Sequence, residues 1–552
     1  VCAAVVLAAA PRPAAAQGGI ISGRVTDSTG APLGRASVSV DGTRLGALTS
    51  DLGEYAITGV PSGSYTVRAR LLGYLAAATR VVVSEGAVVR QDFQLAVRAI
   101  GLAPIDVVVG SRGRHTAADE LAVPVDVYTA EELARQGSTE TSQILQALSP
   151  SVNFPRQSVT DATDIVRPFT LRGLSPDHTL VLLGGVRRHQ TAVVNTFAYG
   201  TGAGSSGVDM NAVPAGAVDR VEVLRDGASA QYGSDAIAGV VNVVLKEGPF
   251  TPFLNVTTGR YIPSDYADDG TTVNVSGGWG VGLGRGSLAL FAEYLNRQPT
   301  NRAWADPFDD SGNGLTDSVS SDGEVVVKRN PVEQPNHHWG DGLEKDILTM
   351  ANLRLPLDDA GARELYAFGG YGFREGTGNG YRRYASSARN WTEIYPLGFL
   401  PEFNPDVTDY SAAGGIRAAA GGWSLDLGAS FGHNDFAYNL RNTLNASLGP
   451  CLDLNPAVCS SPAPGPDGNP GSGDEIPNQT SFFAGRALRE ELGAGITAVK
   501  ALELGLAAPV NVALGAALRR ERFEISRGEL ASYVDGNHAA QDLSDAPGGS
   551  QV

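Results

Sequence analysis

The chain is short of charge, histidine and sulfur. Of its 552 residues, 18% are charged, seven are His, three are Cys and two are Met. Lys and Arg number 42 against 59 Asp and Glu, a formal net charge of −17. That balance lacks the basic footprint of a nucleic-acid binder, so no nucleic-acid partner is expected. None of the His stands in an H-x-x-E or H-E-x-x-H arrangement, which leaves a zinc peptidase without ligands. No G-x-x-x-x-G-K-[ST] loop is present to cradle a nucleotide phosphate. No internal apolar run reaches the ~20 residues of a membrane-crossing helix. Mean hydropathy sits near zero. A β-barrel escapes both of the last two tests, because its strands are short and alternate.

What the chain has in quantity is glycine, 69 residues, and alternating apolar and polar runs. The opening "VCAAVVLAAAPRPAAAQGG" joins an apolar stretch to small residues. It reads as the end of a secretory signal over 1–17, cut after Ala16, with the true start missing; a plain Ala/Pro linker is the alternative. Export suits the cysteines. Cys2 falls in the removed part, and Cys451 and Cys459, close together in a Pro/Gly-rich loop, are expected to form one disulfide.

Residues 18–97 read as a β-sandwich. "ISGRVTD", "ASVSVDG", "YAITGV", "SYTVRARL" and "RQDFQL" alternate, and turn signals such as "DSTGAPLG" and "VPSG" separate them. A linker follows at 98–113, holding the β-prone run Ile105, Asp106, Val107, Val108 and Val109. It is either a stray strand or a segment that adds to a partner's sheet edge. Over 114–247 the pattern is mixed. "TAEELARQGSTETSQILQAL" has helical spacing, "FTLRGL" and "HTLVLLGGVR" are strand-like, and "VPAGAVDRVEVLRDG" is a helical turn feeding a strand. From 248 the chain turns to long hairpins such as "GSLALFAEYLNRQ" and "GWSLDLGASFGHND". In the second, Trp423, Leu425, Leu427, Ala429 and Phe431 share one face, as a strand between lipid and a wet lumen requires; a soluble sandwich also alternates. Very long connections at 298–345 and 443–481 beside tight turns favour the barrel.

Two stretches imitate ligand sites. In "DDSGNGLTD", Asp309, Ser311, Asn313 and Asp317 have EF-hand spacing around Gly314, but Ser320 stands where a bidentate Glu is needed and no helices flank it. The loop 309–320 is read as hydrated and acidic, with calcium the alternative. In "NHHWGD" the adjacent His point to opposite sides of an extended chain. No metal site and no cofactor are expected.

The segment "DRVEVLRDGASAQYGSDAIAGVVNVVLK" resembles the end of the plug domain of TonB-dependent outer-membrane receptors. Pro214, Arg220, Glu222, Arg225, Gly227, Tyr232, Gly233, Gly239 and Asn242 stand at the positions of that family's pattern. "FTLRGLSPDHTLVLLGGVRRH" is similar to plug sequence too. "GRVTDSTGAPLGRASVSVDGT" with "TSDLGEYAITGVPSGSYTVRARLLGY" resembles the carboxypeptidase regulatory-like, transthyretin-type domain, here without a catalytic set.

The resemblance implies a mainly β chain: a transmembrane antiparallel β-barrel, incomplete here, with an α+β plug and an N-terminal transthyretin-like β-sandwich. About ten to twelve barrel strands are expected within 248–552. It further implies no enzyme but a receptor-transporter in outer-membrane lipid. An extracellular iron complex, vitamin, oligosaccharide or peptide would be its ligand, and the TonB periplasmic domain its partner, with Ile105–Val109 as the TonB box. A non-transporting glycan-binding or adhesion protein is the alternative. Plug apices at 156–163 and 187–200 are candidate ligand loops, with Arg187, Arg188, His189, Gln190 and Tyr199 as candidate contacts; the alternative is that these loops only pack against the barrel. Arg220, Glu222 and Arg225 are expected to link plug to barrel wall by salt bridges.

Overall fold

A computed structural model describes residues 18–27, 30–43, 45–71, 74, 77–95, 125–160, 164–196, 200–225, 228–306, 318–319, 325–327, 331–460, 462–502, 504–505 and 510–536. The signal-like segment, Ile105–Val109, most of loop 309–320, Tyr199 and Gly227 lie outside them. The chain divides into two compact units, residues 1–105 and 106–552.

The first unit is a two-sheet sandwich. One sheet contains β4 (Glu54–Val60), β1 (Gly19–Asp27), β7 (Val88–Arg90) and β8 (Phe93–Leu95). The other runs β3 (Gly46–Leu48), β2 (Ser37–Val40), β5 (Gly63–Arg70), β6 (Ala77–Val83). Strand alternation sends Ile21, Val25, Val38, Val40, Ile57 and Val67 into one shared core.

The second unit begins with a small α+β domain. Its mixed sheet runs β13 (Val186–Arg187), β12 (Thr179–Leu183), β15 (Gly239–Leu245), β14 (Val218–Leu224), β9 (Val125–Thr129). Only β12 and β15 pair in parallel. A capping box of Thr129 and Glu132 starts α1 (Ala130–Ala134), and α2 (Thr141–Leu148) follows. The short pair β10 (Val152–Asn153) and β11 (Thr170–Leu171) and the single-turn α3 (Ser229–Tyr232) complete the domain.

An antiparallel sheet of ten strands makes up the rest. These are β16 (Phe250–Tyr261), β17 (Asp269–Leu283), β18 (Gly286–Arg297), β21 (Leu343–Pro356), β22 (Arg363–Asn379), the two-residue β23 (Glu402–Phe403), β24 (Asp406–Ala420), β25 (Trp423–Arg441), β26 (Ser481–Leu502) and β27 (Val510–Arg527). A separate mini-hairpin joins β19 (Ser318–Val319) to β20 (Val325–Val327), and α4 (Leu530–Tyr533) follows β27. Among the described residues β16 and β27 pair on one side only. Two-residue turns join β17 to β18 and β24 to β25, while connections at the opposite end are long, as at 442–480. The bridge between Cys451 and Cys459 lies in that long connection.

The wall's outward face is apolar and exposed. Leu290, Ile347, Ile416, Leu427, Ile496 and Leu518 are all exposed there, which is costly in water and favourable against lipid. No helix among the described residues is long and apolar enough to cross a membrane. The inward face carries the α+β domain, whose core (Leu145, Phe169, Val221, Val241) runs on into Ala289 and Phe291 of β18 and Met350 of β21.

Candidate functional site

The motif residues of the α+β domain assemble at its centre. Arg220 and Glu222 share a face of β14 and pair at 3.0 Å. Glu222 is fully buried and accepts from Asn242 Nδ2 on neighbouring β15 at 3.1 Å. The other end of that amide accepts from the Gly185 N–H at 3.0 Å. Arg225 lies past the strand and reaches Asp126 of β9 at 2.7 Å. Two glycines serve geometry. Gly239 has φ +151°, and a Cβ there would sit 2.2 Å from the Leu224 carbonyl oxygen. Gly233 closes α3 with φ +97° in open space, so its conformation alone demands glycine.

These ion pairs stay inside the domain, which corrects the expectation that Arg220, Glu222 and Arg225 reach across to the wall. The crossing is made by other residues. Glu140, at the start of α2, accepts from Arg297 of β18 at 3.0 Å and from Arg167 at 3.4 Å. Arg167 and Arg156 both grip Asp341, just before β21, at 3.0 and 2.6 Å. Arg297 also pairs with Glu344. Glu344 and Asp346 meet Arg374 of β22 at 3.2 and 2.9 Å, and Arg374 reaches back to Asp209 of the inner domain at 2.9 Å. Five carboxylates and four guanidiniums thus alternate along one buried seam. Burial alone would raise the Glu140 carboxyl. Arg167, Arg297 and Arg156 outweigh it and bring it down to about 2. At Asp209 burial wins over Arg374, and its carboxyl is pushed up.

A second node gathers on Asp409 of β24, which accepts from Arg188, from His189 Nε2 at 2.8 Å and from Asn434 Nδ2 at 2.9 Å. Asn434 in turn accepts from the Ala192 N–H at 2.7 Å. Burial lowers the affinity of His189 for a second proton, against the opposing pull of Asp409. Arg188 and His189 are therefore not open loop contacts, as the candidate list expected. Both are buried and engaged with the wall. Arg187 pairs with Asp235, which also holds Arg519 of β27 at 3.2 Å. Gln190, Asp177, Arg489 and Glu521 line a polar cavity of about 370 Å³ beside that pair. Among the described residues no cluster of three or more His, Cys, Asp or Glu could hold a metal ion.

Sequence reasoning missed Glu140, Arg167, Arg297, Asp341 and Arg374. They are scattered over 235 positions of chain, and nothing in local periodicity marks them. The faint available signal was charge at inward positions of strands whose outward positions are apolar.

A lipid-facing strand wall with a compact α+β domain seated against its polar face defines an outer-membrane barrel with an internal plug. The comparisons specify it further: residues 117–240 match the TonB-dependent receptor plug domain, and residues 20–96 match the carboxypeptidase regulatory-like domain. The chain thus carries a TonB-dependent receptor plug domain and, N-terminal to it, a carboxypeptidase regulatory-like domain. It is 34% identical over 146 residues to a ferric enterobactin receptor of Pseudomonas aeruginosa, covering 26% of this chain and 19% of that one. It is 28% identical over 195 residues to a vitamin B12 transporter of Photobacterium profundum, covering 35% and 28%. A solved Pseudomonas aeruginosa ferric enterobactin receptor in complex with enterobactin aligns at 19% identity and a TM-score of 0.47, over 73% of this chain and 50% of that chain. The chain spans at most about half the length of these relatives. They are receptors and a transporter, in keeping with the reading that excludes catalysis.

Proposed function

We propose that this chain is the plug-bearing part of a transporter that binds an extracellular ligand and passes it to the periplasm when a partner pulls on the plug. The ligand class is an iron complex, vitamin, oligosaccharide or peptide. The partner is the TonB periplasmic domain, adding Ile105–Val109 to its sheet edge by main-chain hydrogen bonds. The domain limits that go with this reading are 1–17 signal remnant, 18–97 sandwich, 98–113 linker, 114–247 plug and 248–552 barrel wall.

The observation that carries it is the ionic seam. Apolar contacts with Ala289, Phe291 and Met350 also seat the plug, and charged pairs cross beside them. Charged pairs seal differently, because water can replace each partner, so their net worth over solvation is small even when buried. A seam of alternating Arg and carboxylate therefore holds the plug in register while letting it be dislodged at modest cost.

Deleting residues 105–109 tests it. Uptake of iron complexes, cobalamin, oligosaccharides and peptides should be lost while surface binding persists. Uptake that survives the deletion refutes energised transport. Binding with no uptake in the intact protein favours the adhesion reading.

A further inference from the structure

Above the seam, outside the node residues, lies an aromatic array that the transport reading does not itself require. Arg302 is clamped by both oxygens of Asp269, at 2.5 and 2.9 Å. The clamp holds its guanidinium 5.7 Å from the Tyr261 ring centre and 5.5 Å from that of Tyr266. Tyr266 meets Trp304 at 5.3 Å. The Arg302 N–H donates to the Trp339 carbonyl at 2.8 Å, and Trp339 packs edge-on to Tyr381 at 6.2 Å. These rings are not core. Trp304 is 59% exposed, and Tyr261, Trp339 and Tyr381 are each 43–45% exposed.

Exposed rings fixed by packing and by a two-point salt bridge form a preorganised surface that pays little ordering entropy on binding. Charge narrows what it takes. Three nearby arginines already have a carboxylate: Arg302 with Asp269, Arg156 with Asp341, and Arg260 with Asp268. Arg382 gives its guanidinium to the Leu397 carbonyl at 2.7 Å. Asp265 adds a further negative charge at the rim, held by Ser264. An anionic metal complex finds no uncommitted arginine fork here and meets a slightly negative rim. A neutral polyhydroxylated ring presents C–H faces to aromatic planes and hydroxyl donors to carboxylates, and suits both.

The array is also wired to the plug. Arg156, in the first of the two plug apices, donates to the Tyr261 hydroxyl at 3.1 Å and holds Asp341 at 2.6 Å. Asp341 is shared with Arg167 of the seam. A ligand that moves Tyr261 therefore acts on the same carboxylate that anchors the plug.

We propose that Tyr261, Tyr266, Arg302, Trp304, Trp339 and Tyr381 form a platform for a neutral saccharide, and that Arg156 reports its occupancy to the plug. This rests on the transport reading for its purpose but not for its test, which needs binding alone. The purified full chain in detergent is titrated with neutral hexasaccharides of β-1,4-glucose, α-1,4-glucose, β-1,4-mannose and β-1,4-xylose, and separately with a ferric tris-catecholate, following tryptophan fluorescence. At least one saccharide should bind, and Trp304→Ala and Tyr266→Ala should each weaken it about tenfold, the loss of one stacking contact. Tyr261→Phe should keep that affinity, because the ring remains. It should, however, abolish the saccharide-induced change in amide exchange at 156–160, because the hydroxyl contact to Arg156 is gone. Binding of the catecholate but no saccharide overturns the proposal, as does binding of neither. Saccharide binding unaffected by Trp304→Ala and Tyr266→Ala places the site elsewhere and also overturns it. Saccharide binding without uptake would count against the transport reading and leave the platform standing.

Discussion

Replacing Glu140 by Gln keeps the shape of the seam and removes one charge. Glu140 accepts from Arg297, from Arg167, from Asn211 at 3.2 Å and from Gln143. Arg167 and Arg156 of the plug itself, together with Arg297 of the wall, bring its carboxyl from an ordinary 4.5 down to about 2, and only the Arg297 share of that is plug anchoring. Breaking an isolated buried pair costs ~3–5 kcal/mol. Here Asp341 and Glu344 still hold the two arginines, so Glu140→Gln should cost ~2–3 kcal/mol. The sign with pH follows. A carboxyl held low in the docked state contributes fully above pH ~4.5 and loses that contribution as pH falls towards 2. Asp209, whose carboxyl is pushed up, works the other way and offsets part of the effect. Hydrogen exchange followed by mass spectrometry on α2 reads this directly. At pH 7 protection of 141–148 should drop about 30- to 150-fold in Glu140→Gln. In the wild type it should fall as pH drops from ~4.5 towards ~2, and in the variant that step should shrink. Protection within threefold of wild type at pH 7 would refute the anchoring role.

Asp409→Asn should release the segment 186–195 by ~3 kcal/mol, since Arg188 and His189 are left buried without their carboxylate; limited proteolysis of that segment checks it. Gly239→Ala, with its Cβ against the Leu224 carbonyl and φ at +151°, should prevent the plug sheet from forming, seen as loss of folded protein on expression. Replacing Cys451 and Cys459 by Ser should leave strand pairing intact but loosen the 442–480 connection, by ~2–3 kcal/mol in loop-closure terms; exchange confined to that connection is the expected readout.

The elements legible in sequence were those governed by local rules. Alternation located the sandwich strands, and "GWSLDLGASFGHND" became part of β25, which runs from Trp423 to Arg441. "VPAGAVDRVEVLRDG" reads as a helical turn then a strand, and a single 3-10 turn at Ala215–Ala217 does precede β14. The long hairpins gave an estimate of ten to twelve strands, and the sheet has ten, one of them two residues long. What stayed hidden was long-range charge pairing. Arg374 and Asp209 lie 165 positions apart, and only the register of two strands with the plug brings them together. For the same reason Arg188 and His189 looked like free loop groups: their partner Asp409 is more than 200 positions away.

The account's central claim is that the plug is a mechanically separable domain held by an ionic seam. Pulling single bilayer-embedded molecules from the linker at residue 106 tests it most directly. The account predicts a first event at low force in which the plug leaves the wall and unravels, releasing about 50 nm of chain at ~3.5 Å per residue, while the wall strands stay paired, with a lower force for Glu140→Gln. Extraction that begins in the wall strands, or a plug that leaves at the same force with and without Glu140, would contradict it.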